Sequence, residues 1–288
     1  MDTKKNRLKP FCPGGIIKSA LWGFNALGKI LLIVIIAYPF AWMILTAFKP
    51  YEETTVYPPT FLPGNWVADG FINTFRLINV GLFLKNSLVI SCSILVFQFL
   101  IIIPAAYTFA RCRFYLKNFL FGIVLLGFMI PQQLTFIPVY LLFSRLGILQ
   151  SYLPLILPFV ANAFGIFLLR QYFMQIPEEI IEAARLDDAG ELKIILKIMI
   201  PIAKTAIVTI GLLSFISSWN SYFWPLIMTT KETFRPLPIG VAMLTSAENG
   251  RHWNTMMAGN LFLVVPILGV YLAANKQIRK AFAYSGIK

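Results

Sequence analysis

Six long apolar runs constrain this sequence more than any motif in it. They lie near 27–48, 82–109, 117–143, 149–170, 200–228 and 256–275. A helix of about 20 apolar residues matches the ~30 Å hydrocarbon core of a bilayer. Lone strands leave backbone N–H and C=O groups unpaired in lipid, so all six runs are expected to be helices. An outer-membrane barrel is excluded, because its strands alternate in polarity and these runs do not. The expected fold is therefore all-α, a polytopic bundle of six transmembrane helices. Composition agrees: the 288 residues are 58% hydrophobic and 13% charged, with a mean hydropathy of +0.74. One integral-membrane domain over 1–288 is expected, with a cytoplasmic N-terminal segment at 1–26 and a core at 82–275. The first run is too long and too late for a cleaved signal peptide and reads as a retained span.

A net charge of +13 could suggest nucleic acid, but the lysines and arginines are scattered among short loops without interleaved aromatics. No nucleic-acid partner is expected. With the N-terminus inside, 18 of the 25 basic residues fall on inner segments and 7 on outer ones. That asymmetry places both termini in the cytoplasm of a multi-pass plasma-membrane protein. The three cysteines, Cys12, Cys92 and Cys112, match no zinc spacing, and no disulfide is expected. A single histidine, His252, excludes a multi-histidine metal centre, and no metal site is expected. The 49–81 segment, with "YPPTFLPGNW", reads as an ordered external cap. Trp219, Trp224 and Trp253 are expected at the outer interface.

The charge that remains is gathered in one place. "EAARLDDAGELKII" (Glu182–Ile195) holds four of the twelve acidic residues, with Glu178 and Glu179 just before it. Pro177 suits the first position of a helix, and Glu178 and Glu179 then meet the positive end of its dipole. Glu182 and Arg185, spaced i,i+3, can pair on its surface. Ile180, Ala183, Ala184 and Leu186 form an apolar flank. The helix is expected to stop near Gly190, with a second helix running from Glu191 past Pro201 into the fifth span. Asp187 and Asp188 are adjacent and point about 100° apart on a helix, so they do not converge on one atom. Neither histidine, cysteine nor a glycine-rich loop lies nearby, which disfavours catalysis or metal binding. A solvated face and a docking element for another protein both remain open.

This stretch resembles the signature loop of binding-protein-dependent (ABC) importer permeases: Glu-Ala-Ala, three residues, Gly, nine residues, then Ile, any residue, Leu, Pro. Here Glu182-Ala183-Ala184 opens the motif and Ile198, Met199, Ile200 and Pro201 close it, while Asp188 stands at the glycine position. "MIPQQLTFIPVYLLFSRLGILQSYLPLILP", "SWNSYFWPLI" and "AFAYSGIK" are similar to the carbohydrate branch, nearest the smaller permease of maltose-type and glycerol-phosphate-type importers. The resemblance implies a saccharide or polyol importer without catalysis of its own. It also implies a second, unlike permease, two cytoplasmic ATPases that bind ATP and Mg, and an external solute-binding protein. The coupling residues it implies are Glu182, Ala183, Ala184, Arg185, Asp187, Asp188 and Gly190.

Polar residues inside spans are costly in lipid and tend to face the bundle interior. Ser214, Ser217, Ser218 and Ser221 form a stripe on the fifth span, and Ser87 and Ser91, with Gln98, one on the second. Gln132 and Gln133 follow Pro131 near the middle of the third. These residues either line a cargo path or let helices pack and hydrogen-bond. In the 229–255 loop, Glu248, Asn249, Arg251 and Trp253 either reach cargo held by the binding protein or only dock it. A secondary carrier is disfavoured because no acidic residue lies deep in a span, and a membrane enzyme because the one acid cluster matches the coupling motif.

Overall fold

The computed structural model describes the backbone of residues 14–245 and 252–285, and the side chains of 25–245 and 252–276. α1 (Gly14–Ala47) leads to an outer loop carrying α2 (Tyr51–Thr54) and α3 (Asp69–Leu77). α4 (Val80–Arg111) is followed by α5 (Lys117–Met129), α6 (Gln132–Arg145), α7 (Leu153–Ile156) and α8 (Ala163–Met174). Next come α9 (Glu178–Leu186), α10 (Glu191–Ile194), a π-helical turn (Ile195–Met199) and α11 (Ile200–Ile202). α12 (Lys204–Trp219), α13 (Phe223–Met228), α14 (Leu237–Met243) and α15 (Trp253–Ser285) complete the order. Among the described residues there is no strand.

Among the described residues, four segments are long and apolar enough to cross a membrane unaided: Asn25–Ala47, Val80–Arg111, Leu153–Met174 and Trp253–Lys276. The third and fifth expected spans are bent pairs. α5 and α6 meet at 96°, and Glu191–Ile202 meets α12 at 81°. Six spans result when each bent pair counts as one. The first bend follows from Pro131, which lacks an N–H and pushes the preceding residue out of the helical region. Ile130 is accordingly extended, at φ −75°, ψ 119°. At the second bend Pro201 removes the donor that would bond the Lys197 carbonyl, and Ala203 turns out of the helix at φ −86°, ψ 13°. The fifth run also ends sooner than expected: α12 stops at Trp219, and α13 is a separate short helix.

α4 and α8 form the central pair. Gly165 allows their close approach, since a Cβ there would lie 2.7 Å from Ile102 Cδ1. Both helices start on asparagine caps: Asn79 accepts from Leu82 N–H and Asn162 from Gly165 N–H. At their basic ends they cap each other. Arg111 donates to the Phe173 and Ile176 carbonyls, and Arg170 to the Phe109 carbonyl. An apolar cluster fills this end, with Ile102, Ala106, Leu169, Phe173, Ile194 and Met199 almost fully buried.

The outer end is knotted by hydrogen bonds. Thr74 Oγ1 donates to the Gly70 and Thr255 carbonyls, and Asn254 Nδ2 to the Lys49 carbonyl. Lys49 is buried and lies 4.9 Å from the Trp42 ring centroid. The Glu53 carboxylate accepts from the Gly64 and Asn65 N–H groups. The external cap is thus ordered, as expected. The tryptophans are a correction: Trp219 and Trp224 are buried rather than interfacial, donating to the Leu263 and Pro154 carbonyls. A satisfied indole N–H is compatible with a core position.

Gly70 sits in this knot, where a Cβ would come within 2.7 Å of the Ala47 carbonyl oxygen and 2.8 Å of that of Asn254. Overpacking against backbone costs about 1–3 kcal/mol. Gly70→Ala is expected to lower the apparent unfolding temperature of the purified protein, whereas Gly28→Ala, with nothing within 4 Å, is not. Intrinsic tryptophan fluorescence during a thermal ramp reads the difference.

Candidate functional site

Two sites emerge, one at each end of α4. At the basic end, α9 to α11 form a helical hairpin between Pro177 and Pro201. Pro177 is the N-cap of α9, at φ −55°, ψ 139°, one residue earlier than its expected place. Glu178 and Glu179 occupy the first turn as expected. The apolar anchor is Ile181, 1% exposed, rather than Ile180 or Leu186. Ile181, Ala184, Ala189 and Ile194 pack onto the cluster held by α4 and α8. Burial of Ile181 and Ile194 outside the hydrocarbon contributes about 2 kcal/mol each. Glu182, Ala183, Asp187 and Gly190 are exposed, while Ala184 is half-buried. Leu186 is 86% exposed and Leu192 69%, so the outward face of the hairpin is apolar in its middle.

The turn falls at Asp188, not at Gly190. α9 ends at Leu186, and Asp188 takes a left-handed conformation at φ 53°. Asp188 N–H donates to the Arg185 carbonyl, and Ala189 N–H to the Ala184 carbonyl. That pair of bonds is a Schellman motif with Asp188 at C′. Gly190, at φ −63°, ψ 155°, is the N-cap of α10 instead. Aspartate is one of the few residues that tolerate this region, so Asp188 does the work of the motif's glycine. The expected Glu182–Arg185 pair is not formed either. Arg185 instead meets Glu191 across the turn, with Nη2 at 3.0 Å and Nε at 3.1 Å from Oε1. Glu191 Oε2 also accepts the Tyr107 hydroxyl of α4. Glu191 lay in the same acid-rich stretch, and its place in the first turn of the next helix was the available signal. Tyr107, inside an apolar run, gave none.

Toward the other end, a cavity of about 860 Å³ lies among α4, the bend between α5 and α6, the α7–α8 junction, α12 and α13. Gln132, Ser87, Ser214, Ser218 and Ser221 line it, and Gln133 and Ser91 do not. Ser87 Oγ accepts from Leu237 N–H at 2.8 Å, and Ser218 Oγ donates to Ser91 Oγ at 3.0 Å. These three serines therefore join helices, and two of them also border the cavity. Asn162 and Gln98 also line the wall. The N-cap role of Asn162 was legible before the 163–174 run. Gln98 Nε2 donates to the Phe159 carbonyl at 2.8 Å. Phe128, Phe159, Phe164 and Trp224 supply aromatic surface, and no charged residue lines the cavity among the described residues.

Of the outer-loop candidates, Glu248, Asn249 and Arg251 lie outside the described residues. Trp253 begins α15 and is 38% exposed. Next to it the His252 ring packs against that of Tyr51, tilted by 48° with ring centroids 4.4 Å apart. Cys92 and Cys112 are free thiols, and Cys12 lies outside the described residues.

The left-handed turn can be tested directly. A non-glycine residue in this region costs about 1–2 kcal/mol, less for aspartate. Asp188→Gly is expected to raise the apparent unfolding temperature of the purified protein, and Asp188→Val to lower it. Equal values for the two variants would place the turn elsewhere.

Comparison with known proteins agrees with this geometry. Residues 99–281 match the family described as binding-protein-dependent transport system inner membrane component. The chain is 29% identical over 267 residues to an sn-glycerol-3-phosphate transport system permease protein of Brucella abortus (strain 2308), covering 89% of this chain and 95% of that one. It is 30% identical over 267 residues to the corresponding permease of Pectobacterium atrosepticum, covering 88% and 94%. A chain from a bacterial ABC transporter involved in import of the acidic polysaccharide alginate shares its fold. The TM-score is 0.81 at 24% identity, covering 94% of this chain and 100% of that one. The match over residues 99–281 shows that the chain belongs to the inner-membrane permease family of binding-protein-dependent ABC importers.

Proposed function

We propose that this permease carries a saccharide, a di- or oligosaccharide, inward across the plasma membrane. The observation that carries this reading is the cavity wall. Among the described residues it offers hydroxyls, amides and aromatic faces and no charge. Neutral polyhydroxylated cargo needs hydrogen bonds and flat apolar surfaces, whereas an anion needs a cation or a set of N–H donors to offset its desolvation. A second reading, sn-glycerol-3-phosphate or a related polyol, is favoured by the identity to permeases named for that substrate. It requires the cations to come from a second subunit. Gln132, Ser214, Ser218 and Ser221 are the residues of this chain proposed to face cargo.

Both termini and the hairpin are assigned to the cytoplasm, following the 18 to 7 distribution of basic residues. The hairpin is the proposed ATPase dock. Its exposed Glu182, Ala183, Leu186 and Leu192 suit a groove in a partner, small residues allowing close approach and leucines being buried there. Arg185, Asp187, Asp188 and Gly190 shape its turn. Two ATPase subunits, each binding ATP and Mg, would hydrolyse nucleotide; this chain contributes no catalytic group. A second, unlike permease would close the open side of the cavity, and an external binding protein would deliver cargo to the outer loop, where Glu248, Asn249, Arg251 and Trp253 are the candidates for contact.

Two experiments test this. Ala183→Trp, on the exposed face, is expected to reduce co-purification of the co-expressed ATPase, since a bulky residue at a packed contact costs about 2 kcal/mol, or roughly thirtyfold in affinity. Glu182→Lys should act in the same direction. Undiminished ATPase binding by both would refute the dock. For cargo, the reconstituted complex with its binding protein is screened for ligand-stimulated ATP hydrolysis against saccharides and glycerol phosphates. Stimulation by glycerol phosphates alone would replace the saccharide reading with the second one.

A further inference from the structure

One carboxylate joins three helices at the base of the bundle. Glu191, in the first turn of α10, accepts from Arg185 in the last turn of α9 through Oε1. Through Oε2 it accepts the hydroxyl of Tyr107, which is 2% exposed and lies one turn before the end of α4. Both oxygens are used, and Arg185 also bonds the Tyr107 hydroxyl, so the three side chains together tie the hairpin to α4. We propose that Glu191 and Tyr107 form the positioning joint through which displacement of the hairpin is passed to α4.

The geometry separates two ways in which the hairpin could move the bundle. Its covalent route leads into α12, but that route passes the π-helical turn at Ile195–Met199 and the 81° bend before Lys204. A bend with freed backbone bonds absorbs motion as a hinge does. The route to α4 is not covalent, yet it is close-packed and bonded. Ile181, Ala184, Ala189 and Ile194 press on the cluster containing Ile102 and Ala106 of α4, and the Glu191 carboxylate fixes the register of that contact. An exposed Arg–Glu pair alone contributes little. Here the pair orients a carboxylate whose other oxygen takes a charge-assisted bond from a buried hydroxyl, a directional contact that apolar packing does not supply. α4 then continues to Ser87, Ile90 and Ile94 on the cavity wall. α4 is therefore the element that follows the hairpin, and α12 the one that pivots on it.

The inference rests on the reading of the hairpin as the ATPase dock, and its test needs no knowledge of the cargo. Spin labels are placed at Phe97→Cys on α4 and Leu268→Cys on α15, in a background with Cys12, Cys92 and Cys112 changed to serine. The labelled chain is purified as the complete co-expressed assembly, and the distance distribution is measured without nucleotide and with ATP–vanadate. The parent should show a nucleotide-dependent shift. Tyr107→Phe and Glu191→Ala should largely abolish it while the ATPase still co-purifies. Exchanging the pair, Arg185→Glu with Glu191→Arg, should restore it, since a tyrosine hydroxyl can accept from a guanidinium as well as donate to a carboxylate. An undiminished shift in both single variants, no shift in the parent, or no recovery in the exchange would overturn the joint. Retention of the ATPase by both Ala183→Trp and Glu182→Lys would instead overturn the dock, so the two failures are distinguishable.

Discussion

The inner ends of α4 and α8 impose the constraint on which the rest of the structure depends. Both helices finish side by side at the basic end, where their last carbonyls have no intrahelical donor. Buried without partners, such groups would each cost a few kcal/mol. Arg111 and Arg170 resolve this reciprocally, each donating to carbonyls of the other helix, and Lys117 donates to the Cys112 carbonyl. The Arg170 guanidinium also lies 4.1 Å from the Phe121 ring centroid, which brings α5 to the same junction. Residues that looked like markers of membrane orientation are therefore structural caps as well. Fixing this junction creates the apolar floor on which the hairpin rests, through Ile181 and Ile194.

Breaks in the helical ladder occur where function is proposed. The α5–α6 bend borders the cavity, and the Ala203 bend leads from the hairpin into α12. In a bilayer, freed backbone groups are tolerated when protein or a polar cavity covers them. The unbroken α4 borders the same cavity as the first bend, and its Ile102 and Ala106 share an apolar cluster with Met199 and Ala203 at the second. The division between one unbroken element and two bent ones follows three prolines: Pro131 separates α5 from α6, and Pro201 lies just before the Ala203 bend. Pro104, by contrast, is carried inside α4 without ending it.

Much of this was legible in the sequence, for identifiable reasons. Continuous apolar length announced the spans, because hydrocarbon leaves the backbone few alternatives. Pro131 announced the first bend, and the acid-rich stretch announced a helix–turn–helix. What was not legible depended on contacts between distant segments. Glycine is the usual left-handed terminator, so Gly190 was the expected turn, yet the packing of Ala184 and Ala189 on one cluster set the reversal at Asp188. Spacing i,i+3 favoured Glu182 for Arg185, but the reversal at Asp188 brought Glu191 closer. The tryptophans read as interfacial because their two-sided chemistry suits an interface, and only the Leu263 and Pro154 carbonyls made burial acceptable. The serine stripes were ambiguous in sequence and remain double in structure, since Ser87 and Ser218 both join helices and border the cavity.

Distance along α4 explains why hairpin and cavity can communicate without a chain of loops. Ser87 and Tyr107 are twenty residues apart on one helix, or about 30 Å at 1.5 Å per residue. One end faces the polar cavity and the other contacts the hairpin. Close-packed helices shift as bodies rather than deform continuously. A displacement of the hairpin that keeps Glu191 and Ile181 in place must therefore move α4 or break buried contacts. Bends beside α12 and α6 give the neighbouring wall room to respond. The hydrogen-bonding groups on the cavity wall are carried on these same elements, so a movement that admits or releases cargo would also rearrange the groups that hold it.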